Sequence, residues 1–246
     1  MPHDPRPFPV AAEPVYVALG DSISIDDYAG GPGRGGASLL FRNRDDDFPD
    51  WRGRDLLTVD PGTTFWLLAT DGATTRTLLQ VQLPRLRALP ERPMVVTLTI
   101  GGNDLLSVYG DSAAAREVVA RVEAAVDRAL AELAGLVAPG GRIVVGTVYD
   151  PSDGTGDAVR LGLPPWTDAV AVIDEVNQAL RGVAGRHGAA VADIAGTFHG
   201  HGLRAGNPAR PEARPAERDL WFCRLIEPNA WGASGVRTAF WAALHA

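Results

Sequence analysis

Short, continuously apolar runs alternate along this chain with longer stretches of helical period, and no other feature restrains its fold so strongly. Strands buried on both faces read as unbroken apolar runs, and their alternation with helices winds them into a parallel sheet covered on either side. Val15–Leu19, Phe65–Ala69, Met94–Ile100 and Arg142–Val148 are four such runs, and Ala189–Ile194 is a fifth. Between the third and fourth, Val119, Val122, Val126, Leu130, Leu133 and Val137 recur at spacings of three and four, which puts them on one helical face. Asp111 or Ser112 can cap that helix, and Pro139-Gly140-Gly141 stops it. Ala169, Ile173, Val176, Leu180 and Val183 mark a second helix, and Val236, Phe240 and Ala243 a C-terminal one. The expected class is therefore α/β, in three layers, with a parallel sheet of about five strands between helices.

The 246 residues suit one domain, taken as 15–246 behind a flexible, proline-rich tail over 1–14. The tail has no basic start followed by an apolar run, so it does not read as a secretory signal. No stretch approaches the roughly 20 apolar residues that cross a bilayer. A net charge of -7, with arginines dispersed among Asp and Glu, excludes a nucleic-acid footprint and a polybasic membrane surface. The single cysteine, Cys223, leaves no intrachain disulfide and no thiolate-built zinc site, so cytoplasmic residence is the expectation. The 5 histidines lack metal-ligand spacing and nothing calls for a cofactor.

Chemistry gathers where the apolar runs end. Leu19-Gly20-Asp21-Ser22 follows the first run, so Ser22 falls at the carboxyl edge of the sheet, where open α/β folds place their ligands. Gly20 permits a sharp strand-to-helix turn, and a helix starting beneath the hydroxyl would favour developing negative charge. By itself Gly-Asp-Ser is equally an ordinary turn. The second run, however, leads into Thr70-Asp71-Gly72, and the third into Gly101-Gly102-Asn103-Asp104. Neighbouring strand ends thus present a serine, a glycine with an unhindered N–H and an asparagine amide, which are the parts of an oxyanion hole. Losing one such donor typically costs about 10²- to 10³-fold in turnover.

These three blocks resemble, in order, those of the SGNH (GDSL-like) hydrolase family, whose first block reads Gly-Asp-Ser, whose second supplies a Gly and whose third reads Gly-x-Asn-Asp. The resemblance runs from about Val15 to the C-terminus and implies a flavodoxin-like sheet and serine-esterase chemistry through an acyl-enzyme. It assigns Ser22 as nucleophile, with the Ser22 and Gly72 amides and the Asn103 side chain around the substrate carbonyl. The family's fourth block, Asp-x-x-His followed by Pro and Asn, is altered: here Arg224-Leu225-Ile226-Glu227-Pro228-Asn229 stands in its place. Glu227 occupies the histidine position and Arg224 the aspartate position.

A serine hydroxyl is a weak nucleophile and needs a proton acceptor. In one reading Glu227 is that base, although a glutamate near its ordinary value of about 4.3 accepts protons poorly. In another a histidine arrives from Phe198-His199-Gly200-His201-Gly202, with His201 favoured over His199 and Asp193 or Asp219 orienting it. In a third the machinery is incomplete and the protein binds an acyl ligand without turning it over. Transfer of the acyl group to an acceptor other than water is a further alternative.

Several other features have bland readings. The stretch from Gly30 to Asp60 reads as a solvated excursion with a short helix over Ala37–Phe41, in preference to a substrate lid. Its glycines, Gly30 to Gly36, lack the Gly-Lys-Ser/Thr ending of a phosphate loop. Asp45 to Asp47 read as an acidic turn, not a cation site. Asp26 and Asp27 read as structural, and Tyr149-Asp150-Pro151 borders the expected cleft. Trp51, Trp66, Trp166, Trp221 and Trp231 are either core or apolar wall.

Overall fold

The computed structural model describes residues 13–205, 220–223 and 226–246. Most of the tail expected over 1–14 lies outside those residues, as do Asp219 and Arg224. The apolar runs form five parallel strands, β1 (Val15–Gly20), β2 (Thr64–Leu67), β3 (Val95–Thr99), β4 (Arg142–Gly146) and β5 (Ala190–Ala192), in the order β2-β1-β3-β4-β5. A short antiparallel pair, β6 (Phe222–Cys223) and β7 (Glu227–Pro228), stands apart. Helices α1 (Gly36–Phe41) and α2 (Leu56–Val59) lie between β1 and β2. After β2 come α3 (Thr75–Thr77), a π-helical stretch Leu78–Gln82 and α4 (Leu83–Arg87). α5 (Gly102–Leu106) and α6 (Ser112–Leu136) join β3 to β4, and α7 (Ala169–Arg186) joins β4 to β5. α8 (Ile194–Phe198) and α9 (Ala230–Leu244) follow. Among the described residues no helix is long and apolar enough to cross a membrane.

Period-two alternation distributes the strand side chains between two helical layers. Val15, Val17 and Leu19 of β1 pack with Leu83, Val126 and Val176, whereas Tyr16 and Ala18 pack with Leu40, Phe198 and Phe240. Asp111 caps α6 by accepting from the Ala113 and Ala114 amides, and the helix runs 25 residues along the first layer. Four strands are shorter than their apolar runs, β3 and β4 by two residues each. β2 is an edge strand with Trp66 43% exposed, and it leaves the ladder after Leu67, the amides of Leu68 and Ala69 both turning to the Ala18 carbonyl. β5, at the opposite edge, keeps three residues. Because β2 and β3 lie on opposite sides of β1, the chain reverses its winding there and opens a crevice at the carboxyl ends of β1 and β3.

The 30–60 stretch is not a solvated excursion. Asp26 accepts from the amides of Gly33 (2.9 Å) and Gly35 (2.7 Å), so the glycine-rich turn closes around a carboxylate and is unsuited to a phosphate. Leu39 and Phe48 are buried with Ala233 of α9, and Asp45 and Asp47 are spent on Arg52, Arg34 and Arg44. The fastening is Arg237 of α9, 0% exposed, whose guanidinium lies 4.1 Å from the Trp51 ring and 4.8 Å from that of Phe48. It donates to Asn43 Oδ1 (2.5 Å) and Ser234 Oγ (2.5 Å), while its Nε has no partner among the described residues. Burial pushes the guanidinium down to about 9, with Asp55 opposing the shift. The sequence pattern missed this anchor because an arginine within an apolar helix reads as solvent-facing.

Replacing Arg237 by Ala removes two ring contacts and strands Asn43 Oδ1. Arg237→Ala is expected to lower the unfolding free energy by roughly 2–5 kcal/mol in urea denaturation, against the ~0.5 kcal/mol of an ordinary surface substitution.

Candidate active site

Gly20 closes β1 with φ 121°, and a Cβ there would stand 2.0 Å from the Thr99 carbonyl oxygen. Only glycine lets the first strand end so tightly against the third. The chain then turns: Asp21 N–H donates to that same carbonyl (3.0 Å), Ser24 N–H to the Asp21 carbonyl (3.1 Å), and Ile23 N–H to Asp21 Oδ1 (3.2 Å). No helix starts at Ser22, contrary to expectation: Ser22–Ser24 form a turn closed by the Asp21 carbonyl and side chain, and α1 begins only at Gly36. Any N–H aimed at the Ser22 hydroxyl region is therefore supplied by a turn.

The other two blocks are tied to each other. Gly72 sits in an exposed turn with φ 65°, a left-handed conformation that favours glycine. Asn103, on α5, donates Nδ2–H to the Ala73 carbonyl (3.0 Å), which fixes which way its amide faces and leaves the second Nδ2 hydrogen for a ligand. Asp104 accepts from Thr75 N–H (3.0 Å) and Thr75 Oγ1 (2.7 Å). The third strand end thus grips the second, by polar bonds that the Gly-x-Asn-Asp motif needs and the sequence alone did not locate.

Ser22 and Asn103 share a cleft of about 80 Å³ at the switch point, and apolar side chains make most of its wall, among them Leu105, Leu106, Tyr109, Val148, Leu163 and Trp166. Tyr109 meets Trp166 edge-on at 4.9 Å, and Trp166 Nε1–H is satisfied by Ser112 Oγ (2.9 Å). Of these, sequence reasoning named Trp166 only as one of several tryptophans. Leu105-Leu106, directly after Asn103-Asp104 on one short helix, was the available signal.

Asp21 also lines the cleft and is 3% exposed. Thr99 Oγ1–H donates to its Oδ1 (2.9 Å) and Thr99 Oγ1 lies 2.9 Å from Ser24 Oγ. Burial, only partly offset by these hydrogen bonds, pushes the carboxyl up to about 7.

The candidate bases are placed differently. Glu227 is half-buried on β7, its Oε2 accepting from the Ile226 amide (3.1 Å). Ile226 and Tyr149 line the cleft, and Tyr149 OH donates to the Ile226 carbonyl, so Glu227 is held one residue from the cleft wall. Burial, then the charges of Asp21 and Glu227, push the Tyr149 phenol well above its ordinary value. His201 is 5% exposed and lies flat against Trp221 at 3.7 Å, within an aromatic cluster that includes Phe198, and it does not line the cleft. His199 is exposed beyond the end of α8. Asp193 is occupied by Arg181 (2.6 Å) and by the Gly196 amide. Among the described residues no side chain hydrogen-bonds Ser22 Oγ, and none of their His, Cys, Asp and Glu residues group as a metal site.

Residues 18–232 match the model of the GDSL-like lipase/acylhydrolase family. The chain belongs to this family. Solved structures with the same fold include phospholipase A1 from Streptomyces albidoflavus NA297, at 23% identity and TM-score 0.63, over 94% of this chain and 100% of that one. An extracellular lipase from Streptomyces rimosus aligns at 26% identity and TM-score 0.61, over 94% of this chain and 99% of that one. The acetylxylan esterase Axe2 from Geobacillus stearothermophilus, in a catalytic mutant, aligns at 18% identity and TM-score 0.63, over 96% of this chain and 95% of that one. No match was found among curated protein sequences. Family and neighbours together establish an α/β carboxylic ester hydrolase.

Asp21 gives this hydrolase a pH signature. Its folded value lies above its unfolded one, so the folded state holds the proton longer; stability is full below about 4, declines as pH rises, and levels off above about 7. Asp21→Asn, which keeps the acceptor for Thr99 and Ile23, is expected to melt higher than the parent at pH 8, with the gap closing by about pH 4. Thermal melts across that range check it, and a gap independent of pH would contradict the assignment.

Proposed function

We propose that the chain hydrolyses an acyl ester of a small molecule, thioester and acetyl esters included, through an acyl-enzyme on Ser22. The observation that carries this reading is the shared cleft of Ser22 and Asn103, with Asn103 Nδ2 already oriented by the Ala73 carbonyl. Ser22 Oγ attacks the carbonyl carbon; the oxyanion is held by the Ser22 and Gly72 amides and by Asn103; the alcohol departs, and water releases the acid. The apolar wall beyond Ser22 suits a hydrocarbon acyl group, and the likeness to a lipase points the same way. Ser22→Ala is expected to abolish hydrolysis of p-nitrophenyl butyrate above the buffer rate, and unchanged hydrolysis would remove the nucleophile assignment.

For the base, Glu227 is preferred to His201. It is held beside the cleft wall by Tyr149 and Ile226, whereas His201 is stacked away from it on Trp221. Glu227→Gln should then lose at least about 10²-fold in kcat while His201→Ala loses much less; the opposite ranking would give the role to the histidine. A second reading has one observation in its favour: no described side chain bonds Ser22 Oγ, as in a protein that binds an acyl ligand without turnover. Wild type inert towards esters but stabilised thermally by butyrate would favour binding alone.

A further inference from the structure

The peptide that precedes Asp21-Ser22 is held by a side chain from the other side of the sheet. Gly20 N–H donates to Gln82 Oε1 (2.8 Å) and Gln82 Nε2–H donates back to the Gly20 carbonyl (2.8 Å), an amide pair closed on itself. In a regular parallel ladder those two groups would go to β2. Here β2 has left the sheet at Leu67, its last residue paired with β1; Gln82 takes the vacant place at the Gly20 N–H and adds a second donor to the Gly20 carbonyl. The same Nε2 reaches Thr70 Oγ1 (3.3 Å), while Thr70 N–H donates to the Gly20 carbonyl (3.0 Å). Gln82 is fully buried, so each of these bonds is made away from water.

The backbone is shaped to deliver this side chain. Gln82 ends the π-helical stretch, where Leu83 N–H reaches back five residues to the Leu78 carbonyl. Pro84 follows, and its ring clashes with a carbonyl four residues earlier in an ordinary α-helix. A widened turn avoids that clash and carries Gln82 over the sheet edge. Such π turns recur at functional sites.

We propose that Gln82 is a positioning residue for the oxyanion hole. It fixes Gly20, one residue before Asp21-Ser22, against Thr70, two residues before Gly72, and so sets the spacing between the Ser22 and Gly72 amides. Neither amide is touched by Gln82 itself. The inference rests on the reading of Ser22 and Gly72 given above. Without the clamp the Thr70 N–H bond to the Gly20 carbonyl alone ties the two strand ends and fixes their separation less closely, and donors displaced from the oxyanion lose rate more than they lose substrate binding.

Two variants test it. Gln82→Met keeps length and apolar bulk without the amide. Gln82→Glu keeps both bonds while its carboxyl is neutral, since a neutral carboxyl accepts from Gly20 N–H and donates to Gly20 C=O; once ionised it can only accept. Each is assayed with p-nitrophenyl butyrate and with an alkyl fluorophosphonate, which phosphonylates a serine with loss of fluoride, after the folded fraction has been measured by thermal melting. Gln82→Met is expected to lower kcat and the phosphonylation rate by about 10- to 100-fold with KM within about twofold of wild type. Gln82→Glu, its carboxyl raised by burial, should recover at least about tenfold relative to wild type between about pH 8 and about pH 5. The Glu variant decides the matter if the Met variant does not fold. Folded Gln82→Met labelled as fast as wild type, or a Glu-to-wild-type ratio flat with pH, overturns the proposal. Wild type that is neither labelled nor active removes the Ser22 reading, and this inference with it.

Discussion

Parallel pairing of Gly20 with Thr99 leaves no space for a side chain at that register of β1, and the rest of the site is hung on this contact. The Thr99 carbonyl receives the Asp21 amide, and the Thr99 hydroxyl reaches both Asp21 Oδ1 and Ser24 Oγ. One residue of β3 therefore decides where β1 stops, how the chain turns and where Ser22 comes to rest. β3 itself continues through Gly101, with φ 107°, into the short helix bearing Asn103. The two strands adjacent at the switch point thus carry Ser22 and Asn103 into one crevice, and Gly72 follows β2 on the other flank.

Buried and half-buried polar groups stand in this fold where segments that do not share a ladder must be joined. Gln82 joins β1 to the loop after β2, Asp104 joins that loop to α5, Asp26 gathers the glycine-rich turn, and Arg237 fixes the 42–58 stretch to α9. Each of these groups costs desolvation, and each except Arg237 Nε is matched by partners within the described residues. Apolar contacts alone would hold the same segments together without fixing their register, because dispersion contacts tolerate sliding in a way that hydrogen bonds do not.

What was legible in the sequence follows the range of the interaction that produces it. The strand runs, the α6 and α7 stripes and the cap at Asp111 depend on neighbours within a few positions, and they are read from periodicity. Gly20, Ser22, Gly72 and Asn103 stand within three residues of the end of an apolar run, so their place at the sheet edge is legible without knowledge of a partner. Gln82, 62 residues from the peptide it clamps, carries no local signal. Arg237 bonds Asn43, 194 positions away, and its burial inverts what its residue type suggests. Apolar residues that continue past the last pairing overstate the length of β2, and the turn at Ser22 carries no local signal that separates it from the first turn of a helix.

The altered fourth block changes how the remaining parts must share the chemistry. Asp21 and Glu227 both act on the buried Tyr149, so one acid lines the cleft and a second stands beside its wall, where a base and an oxyanion hole are proposed. Burial lifts Asp21 to about 7, so near neutral pH it is ionised only in part and brings less than a full negative charge to the cleft. Tyr149, also kept neutral by burial, remains a donor to the Ile226 carbonyl and so holds the strand that carries Glu227. A carboxylate base draws the serine proton less strongly than an imidazole poised near neutrality, so on the proposed reading more of the barrier must be lowered at the oxyanion. That demand falls on donors whose positions are already fixed before substrate arrives: Asn103 by the Ala73 carbonyl, α5 by Thr75, and the Gly20 peptide by the Gln82 amide.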